Sequence, residues 1–382
     1  MRSVGVEEEL LLVDARTGRP RNLASEVIRA AGARDARSPA PSDDRGGSLG
    51  HELHRTQVET DTPPVESLPA LDHALRAWRE RTRTAALEVG ARVLASGTSP
   101  LAGDSAVERS SRYDAMRQRY GLMIAEQLVC GCHVHVDVSG PDEGVAVLDR
   151  IRTWVPLLLA VSANSPWAQS VDTAFESYRH PMQMRWPSAG PTPVLGSPDA
   201  YRRYVEAMLA TGVPLDEAMV YTDARLSAQH PTVEIRTADV CLDVRDAVLV
   251  AALARALVET AAREAEEGRG PDDVPAPLLR LAGWKAGRHG MTGELVHPPT
   301  GTSRPAADVM ETLLDHVGDA LRDAGDHDHV AQGIARLLEE GTGARRQREL
   351  LGAADPDDDE ALGRAVVALC RITAGEQPSP AS

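Results

Sequence analysis

Lysine is almost missing from this chain. Lys285, in GWKAGRHG, is the only one in 382 residues. That scarcity removes whole classes of chemistry. A P-loop needs a lysine after its Gly-x-x-x-x-Gly run, a protein kinase needs one on its third strand, and pyridoxal phosphate needs one for its Schiff base. The context of Lys285 matches none of these. If the protein handles a nucleotide, metal ions and arginines must do the work that lysine does elsewhere. Cysteine is sparse as well: Cys130, Cys132, Cys241 and Cys370 are too few and too scattered for a disulfide framework, which points to a reducing cytoplasm. No window approaches the roughly eighteen consecutive apolar residues of a membrane span. Met1-Arg2 leads straight into a strand-like run, so no signal peptide is expected. Positive charge is also short. A formal net charge of −16 argues against nucleic acid, whose binding needs a basic surface.

What is present is the composition of a globular protein, 42% hydrophobic and 26% charged. The length allows one or two domains with a sizeable core. We expect one domain over residues 1–375, a polar, flexible loop at 34–50 (RDARSPAPSDDRGGSLG) and a disordered tail at 376–382. Residues 4–13 read as a strand, HELHRTQVET as a short strand or hairpin, and LVCGCHVHVDVS and HPTVEIRTADV as further strands. Helical spacing marks 69–89, 142–164, 199–209 and the long alanine-rich run from Arg245. Alternating charge marks helices over 306–350, and the prolines of 166–193 predict loop. No regular βαβ rhythm and no Gly-x-Gly-x-x-Gly after a strand appear. The pattern favours α+β with an antiparallel sheet.

Four strands share one oddity. Residues i and i+2 of a strand lie on one face. That rule groups Glu7 with Glu9, Gln57 with Glu59, His133 with His135 and Asp137, and Glu234 with Arg236. The opposite parity holds Val6, Val58, Val134, Val136, Val233 and Ile235. One such strand is an ordinary half-buried strand with a wet face. Four of them call for a common cause: if they pair into one sheet, acids and imidazoles line a single surface. Glutamate oxygens with an imidazole nitrogen suit Mg²⁺ or Mn²⁺. Glu8 has the wrong parity, and we expect it to pair with an arginine near the sheet edge. Glu52 also opposes Glu59 in parity, so bringing them together requires a bend around His54-Arg55. Zinc at Cys-x-Cys-His-x-His is disfavoured, because the cysteines face away from the histidines. They read as small core residues.

The motifs GVEEELLLVD, QVE, CGCHVHVDV, ANSP, SYRHPMQMRWPSAGPTP, PTVEIRTADVCLDVRDAVLVAALARALV and GTGARRQREL occur in this order. In that order the chain resembles the bacterial carboxylate–amine ligases of the glutamate–cysteine ligase type 2 family, from about residue 4 to residue 350. The resemblance implies a glutamine synthetase-like fold, a curved antiparallel sheet flanked by helices, and ATP-dependent amide formation. It further implies one metal ion between Glu9, Glu52 and Glu59 and another between Glu7, His133 and Glu234. The segment 34–50, the cysteines at 130 and 132 and the scarcity of aromatics (Phe175 is the only phenylalanine) depart from the common pattern and bear on substrate identity.

The chemistry fits the residues. A carboxylate is a poor electrophile until phosphorylated, and phosphoryl transfer chiefly needs positioning and charge neutralisation. Arg236, beside Glu234, is the first choice for the transferring phosphoryl group. Arg179 and Arg185 are candidates for the substrate carboxylate or the phosphates, since guanidinium binds either in a fork. His135 is expected to line the same pocket. Small-molecule acid and amine substrates follow, with no nucleic-acid or membrane partner and with a homodimer compatible with exposed helices. Two alternatives stand beside the ligase: a two-metal phosphate-ester hydrolase, and a metal- or nucleotide-binding protein without turnover.

Overall fold

The computed structural model describes residues 1–37, 47–355 and 357–376, with only the backbone at 35–37. Its strands are β1 (Val4–Asp14), β2 (Ser48–His51), β3 (Gln57–Asp61), β4 (Ala91–Leu94), β5 (Gly131–Asp137), β6 (Trp167–Ala168), β7 (Val171–Asp172), β8 (Ala224–Leu226), β9 (Thr232–Asp239), β10 (Glu294–His297) and β11 (Thr302–Pro305). Its helices are α1 (Ala24–Arg37), α2 (Leu68–Glu88), α3 (Ser111–Tyr120), α4 (Leu122–Glu126), α5 (Pro141–Ile151), α6 (Val155–Ser162) and α7 (Arg179–Gln183), then α8 (Pro198–Ala210), α9 (Val244–Glu266), α10 (Ala276–His289), α11 (Ala306–Ala324), α12 (His327–Glu340), α13 (Gly343–Leu351) and α14 (Asp359–Thr373).

One antiparallel sheet organises these elements. Its strand order is β2-β3-β1-β5-β9-β8, with β4 also pairing to the end of β1. The long first strand is therefore central. Its first half lies between β3 and β5, and its apolar second half, Leu10 to Val13, is fully buried. The α+β expectation holds.

Parity decides which face is greasy. Val4, Val6, Cys132, Val134, Val136, Val233 and Ile235 point into one core with α5, α6, α9, α11 and α12. At the middle of that core lies α9, whose alanines let neighbouring helices approach closely, and Asp243 caps its start by accepting from the Arg245 amide. All four cysteines are free and buried, as small core residues should be.

Several boundaries differ from the sequence expectations. The predicted loop at 34–50 is helix up to Arg37 and strand from Ser48, and 38–46 lie outside the described residues, as do 377–382 of the expected tail. The single helix expected over 142–164 is two, α5 and α6, because Pro156 lacks the amide that would continue the ladder. Sequence reading also missed α1, α10 and α14. The buried positions of α1 are Ala24, Val27 and Ala31, a weak apolar signal.

Candidate functional site

Register proves that the polar parity sets share a face. Across the ladders Glu9 lies opposite Glu59, Glu7 opposite His133, His135 opposite Glu234, and Glu234 opposite Arg225. Two triads result. One ligand atom each from Glu7, His133 and Glu234 lies within 4.8 Å of the others, and the same is true of Glu9, Glu52 and Glu59.

The expected bend that brings Glu52 round is present. The chain leaves the β2 ladder after His51, turns with the Gln57 amide donating to the His54 carbonyl, and rejoins at β3. Buried His54 holds that turn in place through the Ser105 hydroxyl (2.9 Å) and the Ile124 carbonyl (3.2 Å).

Around the first triad, His133 Nδ1 is 3.0 Å from Glu7 Oε2 and His135 Nε2 is 2.9 Å from Glu7 Oε1. Burial works against ionising Glu7, yet the hydrogen bond from His133 and the close approach of His135 outweigh it and hold its pKa well below the usual carboxylate range. Burial and the nearby Arg236 lower His133 to about 4, so its imidazole is neutral at pH 7. Arg225 grips Glu234 with a two-pronged contact (2.7 and 3.2 Å), and Arg236 contacts the same carboxylate. Burial and the neighbouring Arg225 bring Arg236 down to about 10.

The second triad is the opposite case. Burial, then repulsion from Glu9, raises Glu52 to about 8, and burial followed by Glu52 pushes Glu59 well above its ordinary value. Glu9 accepts from the Gly131 amide at 2.6 Å. These acids are crowded beyond what their protein surroundings neutralise.

Both triads open into a cleft of about 860 Å³, lined also by His135, Tyr201, Arg202, Arg225 and His230. A smaller cavity of about 90 Å³ adjoins it, and Glu9, Glu52, His133, Arg112, Tyr221 and Arg236 line both. Tyr113, Trp186, Gln57, Gln127, Gln183 and Arg179 also line the small one.

The remaining sequence candidates separate. Arg179 is buried, donates to the Thr237 and Arg236 carbonyls of β9, and retains an unpartnered Nε. Arg185 does not join the site. Helix α7 ends at Gln183, and the Arg185 side chain turns outward to pair with Glu126 at 2.6 Å, lining neither cavity. Glu8 pairs with an arginine, but not at an edge: β1 is central, and Arg79 meets Glu8 inside the core. Sequence reasoning missed Arg112, Arg225 and the aromatic wall of the small cavity. The three-residue β8 is too short for its alternation to show Arg225.

The arrangement defines a class: an antiparallel sheet whose one face gathers ligand-type acids beside a nucleotide-sized cleft. The match to the family model "Glutamate-cysteine ligase family 2(GCS2)" spans residues 3–368. A Streptomyces avermitilis protein named "Putative glutamate--cysteine ligase 2-1" is 51% identical over 92% of this chain and 95% of its own length. A Streptomyces coelicolor relative is 49% identical over 92% and 94%. Among solved structures, the glutamate–cysteine ligase of Francisella tularensis in complex with AMP superposes with a TM-score of 0.68 at 14% identity, covering 98% of this chain and 88% of that one. That last likeness shows the fold. This chain belongs to glutamate–cysteine ligase family 2. It is an ATP-dependent carboxylate–amine ligase, and the phosphate-ester hydrolase reading finds no support.

Proposed function

We propose that residues 1–375 act as one catalytic unit that phosphorylates a small amino-acid carboxylate and joins it to an amine, with glutamate and cysteine the first pair to test. The supporting observation is the convergence of both triads at the junction of the large cleft and the small cavity. The large cleft has the size of a nucleotide site. Its neighbour, walled by Tyr113, Trp186 and Tyr221 and carrying Arg112 and Arg179, suits a small acid.

The residues fit divalent metal. Hard carboxylate oxygens with one neutral imidazole form the donor set that Mg²⁺ or Mn²⁺ takes, and the elevated Glu52 and Glu59 mark negative charge awaiting a cation. Glu9, Glu52 and Glu59 would hold one ion, and Glu7, His133 and Glu234 the other. Bound there, such ions neutralise phosphate oxygens.

The protein's own groups do the rest. Arg236, fixed against Glu234, presents positive charge where the γ-phosphoryl group must lie. Arg225 keeps Glu234 oriented, and His135 keeps Glu7 oriented. An oxygen of the acid attacks the γ-phosphorus as the bond to ADP breaks. The amine nitrogen then attacks the acyl carbon, loses a proton and expels phosphate. Arg112 and Arg179 hold the acid for the in-line attack. A homodimer completes the proposal.

The test combines coupled ADP release with mass spectrometry over acids and amines, using ¹⁸O-labelled carboxylate. Amide formation with one label carried into phosphate supports the reading. ADP release without amide, or unlabelled phosphate, overturns it.

A further inference from the structure

Amide formation leaves one task without a residue: some group must take the proton that the amine loses. The acids that line the small cavity, Glu9 and Glu52, both belong to a triad, as does His133. A still smaller chamber of about 10 Å³, with room for roughly one water, adjoins that cavity. Arg179, Gln183, Tyr221 and Arg236 line both spaces. The chamber adds one further acid, Asp223.

The backbone places Asp223 firmly. Its amide donates to the Gly190 carbonyl at 3.0 Å, and its carbonyl accepts from the Arg236 amide at 2.9 Å. That second bond continues the pairing of β8 with β9, in which Arg225 lies opposite Glu234, and sets Asp223 beside Arg236. Asp223 and Arg225 are two residues apart, the spacing that shares one face of a sheet. The Asp223 carboxylate makes no hydrogen bond or ion pair among the described residues. Around it stand Arg179 and His180 from α7, Arg280 from α10, Arg236 from β9, and Tyr221 just before β8. Burial pushes Asp223 up to about 7, against the pull of Arg280 and Arg179. The neighbouring groups are poorer bases. Burial, then Arg179, lowers His180 to about 4, while burial raises the Tyr221 hydroxyl to about 12, so that it keeps its proton.

We propose that Asp223 is the acceptor of the amine's proton, reached through one water in the chamber; this assignment rests on the ligase reading above. As the amine nitrogen bonds to the acyl carbon, it carries one proton too many. That proton passes to the water, and the water hands one of its own to the Asp223 carboxylate. The bond from the acyl carbon to the phosphate oxygen then breaks, its electron pair leaving with phosphate, and Asp223 returns the proton to solvent. Arg179 and Arg236 form the wall shared by cavity and chamber, so an acid held against them lies next to the relay. A base whose own value lies near the working pH is the most effective kind.

Asp223→Asn, which keeps the shape and removes the base, provides the test in the full chain with ATP, Mg²⁺ and glutamate. Two amines separate the steps. Cysteine needs a base, whereas hydroxylamine is mostly uncharged near neutral pH and intercepts an acyl phosphate without one. The variant should lose about a hundredfold or more in kcat for amide formation with cysteine, the usual worth of a positioned base. It should retain the acyl-phosphate step, read as hydroxamate formed with hydroxylamine, which also reports an intact fold. Wild-type kcat with cysteine should rise as pH passes through about 7, and the variant should lack that rise. A variant that loses both products alike, keeps both, or differs only by a raised KM for glutamate would overturn the assignment. A wild type that forms neither product would overturn the ligase pair itself, and the assignment with it.

Discussion

Replacing Arg79 with leucine should be among the most damaging single changes in the molecule, although Arg79 lies on the core side of the sheet, away from the catalytic cleft. Glu8 and Arg79 are essentially inaccessible to water. Arg79 Nε donates to Glu8 Oε2 at 2.9 Å and Nη2 to Oε1 at 2.6 Å, and the same guanidinium also supplies the Cys241, Leu242 and Thr373 carbonyls. The pair is asymmetric. Without Glu8, Arg79 still has three carbonyl partners; without Arg79, the Glu8 carboxylate has no donor among the described residues. Stranding a buried charge in this way costs about 3–5 kcal/mol. Glu8→Leu should cost less, about 2 kcal/mol for the lost charged hydrogen bonds. The double leucine variant should be more stable than Arg79→Leu alone, because no carboxylate is then left stranded. Urea unfolding of the three variants measures these losses. A loss below about 1 kcal/mol for Arg79→Leu, or equal losses for the two single variants, would refute the reasoning.

Other outcomes follow from the site. Glu9→Ala or Glu59→Ala should abolish ligation while leaving the fold intact by circular dichroism; wild-type turnover in both would remove them from the metal site. In chelator, stability should fall as pH rises from the ordinary glutamate value of 4.5 to about 8, because the folded chain keeps the Glu52 proton over that window and the unfolded chain does not. Mg²⁺ should then raise the melting temperature more near pH 8 than near pH 5, and an equal shift at both would count against the linkage. Arg185→Ala, at an exposed residue outside both cavities, should leave kcat and KM near wild type, whereas Arg236→Ala should lower kcat by at least about a hundredfold, as loss of one charge-stabilising donor does.

Much of the site could be read from period-two spacing, because a strand puts alternate side chains on one face whatever the rest of the fold does. Glu7, Glu9, Glu59, His133, Glu234 and Arg236 were visible for that reason, with valines marking the other side. Glu52 was visible only through the family resemblance, since its parity is wrong until the turn held by His54 corrects it. The triplet Glu7-Glu8-Glu9 shows why three acids can follow one another in a central strand: two face the cleft, and the third meets a buried arginine. The partner of Glu8, Arg79, lies far along the chain on α2, and no local pattern announces it. The small cavity was illegible for a similar cause. Gln127, Gln183, Trp186 and Tyr221 come from loops and short elements that only tertiary folding brings together. Arg179 and Arg185 look alike in sequence, and the end of α7 after Gln183 separates their fates.

The most direct test of the account is a crystal structure grown with Mn²⁺ and a non-hydrolysable ATP analogue, read by anomalous scattering. The account predicts one peak between Glu9, Glu52 and Glu59 and a second between Glu7, His133 and Glu234, with the analogue's terminal phosphate beside Arg236. Peaks elsewhere, or a nucleotide bound away from both triads, would contradict it.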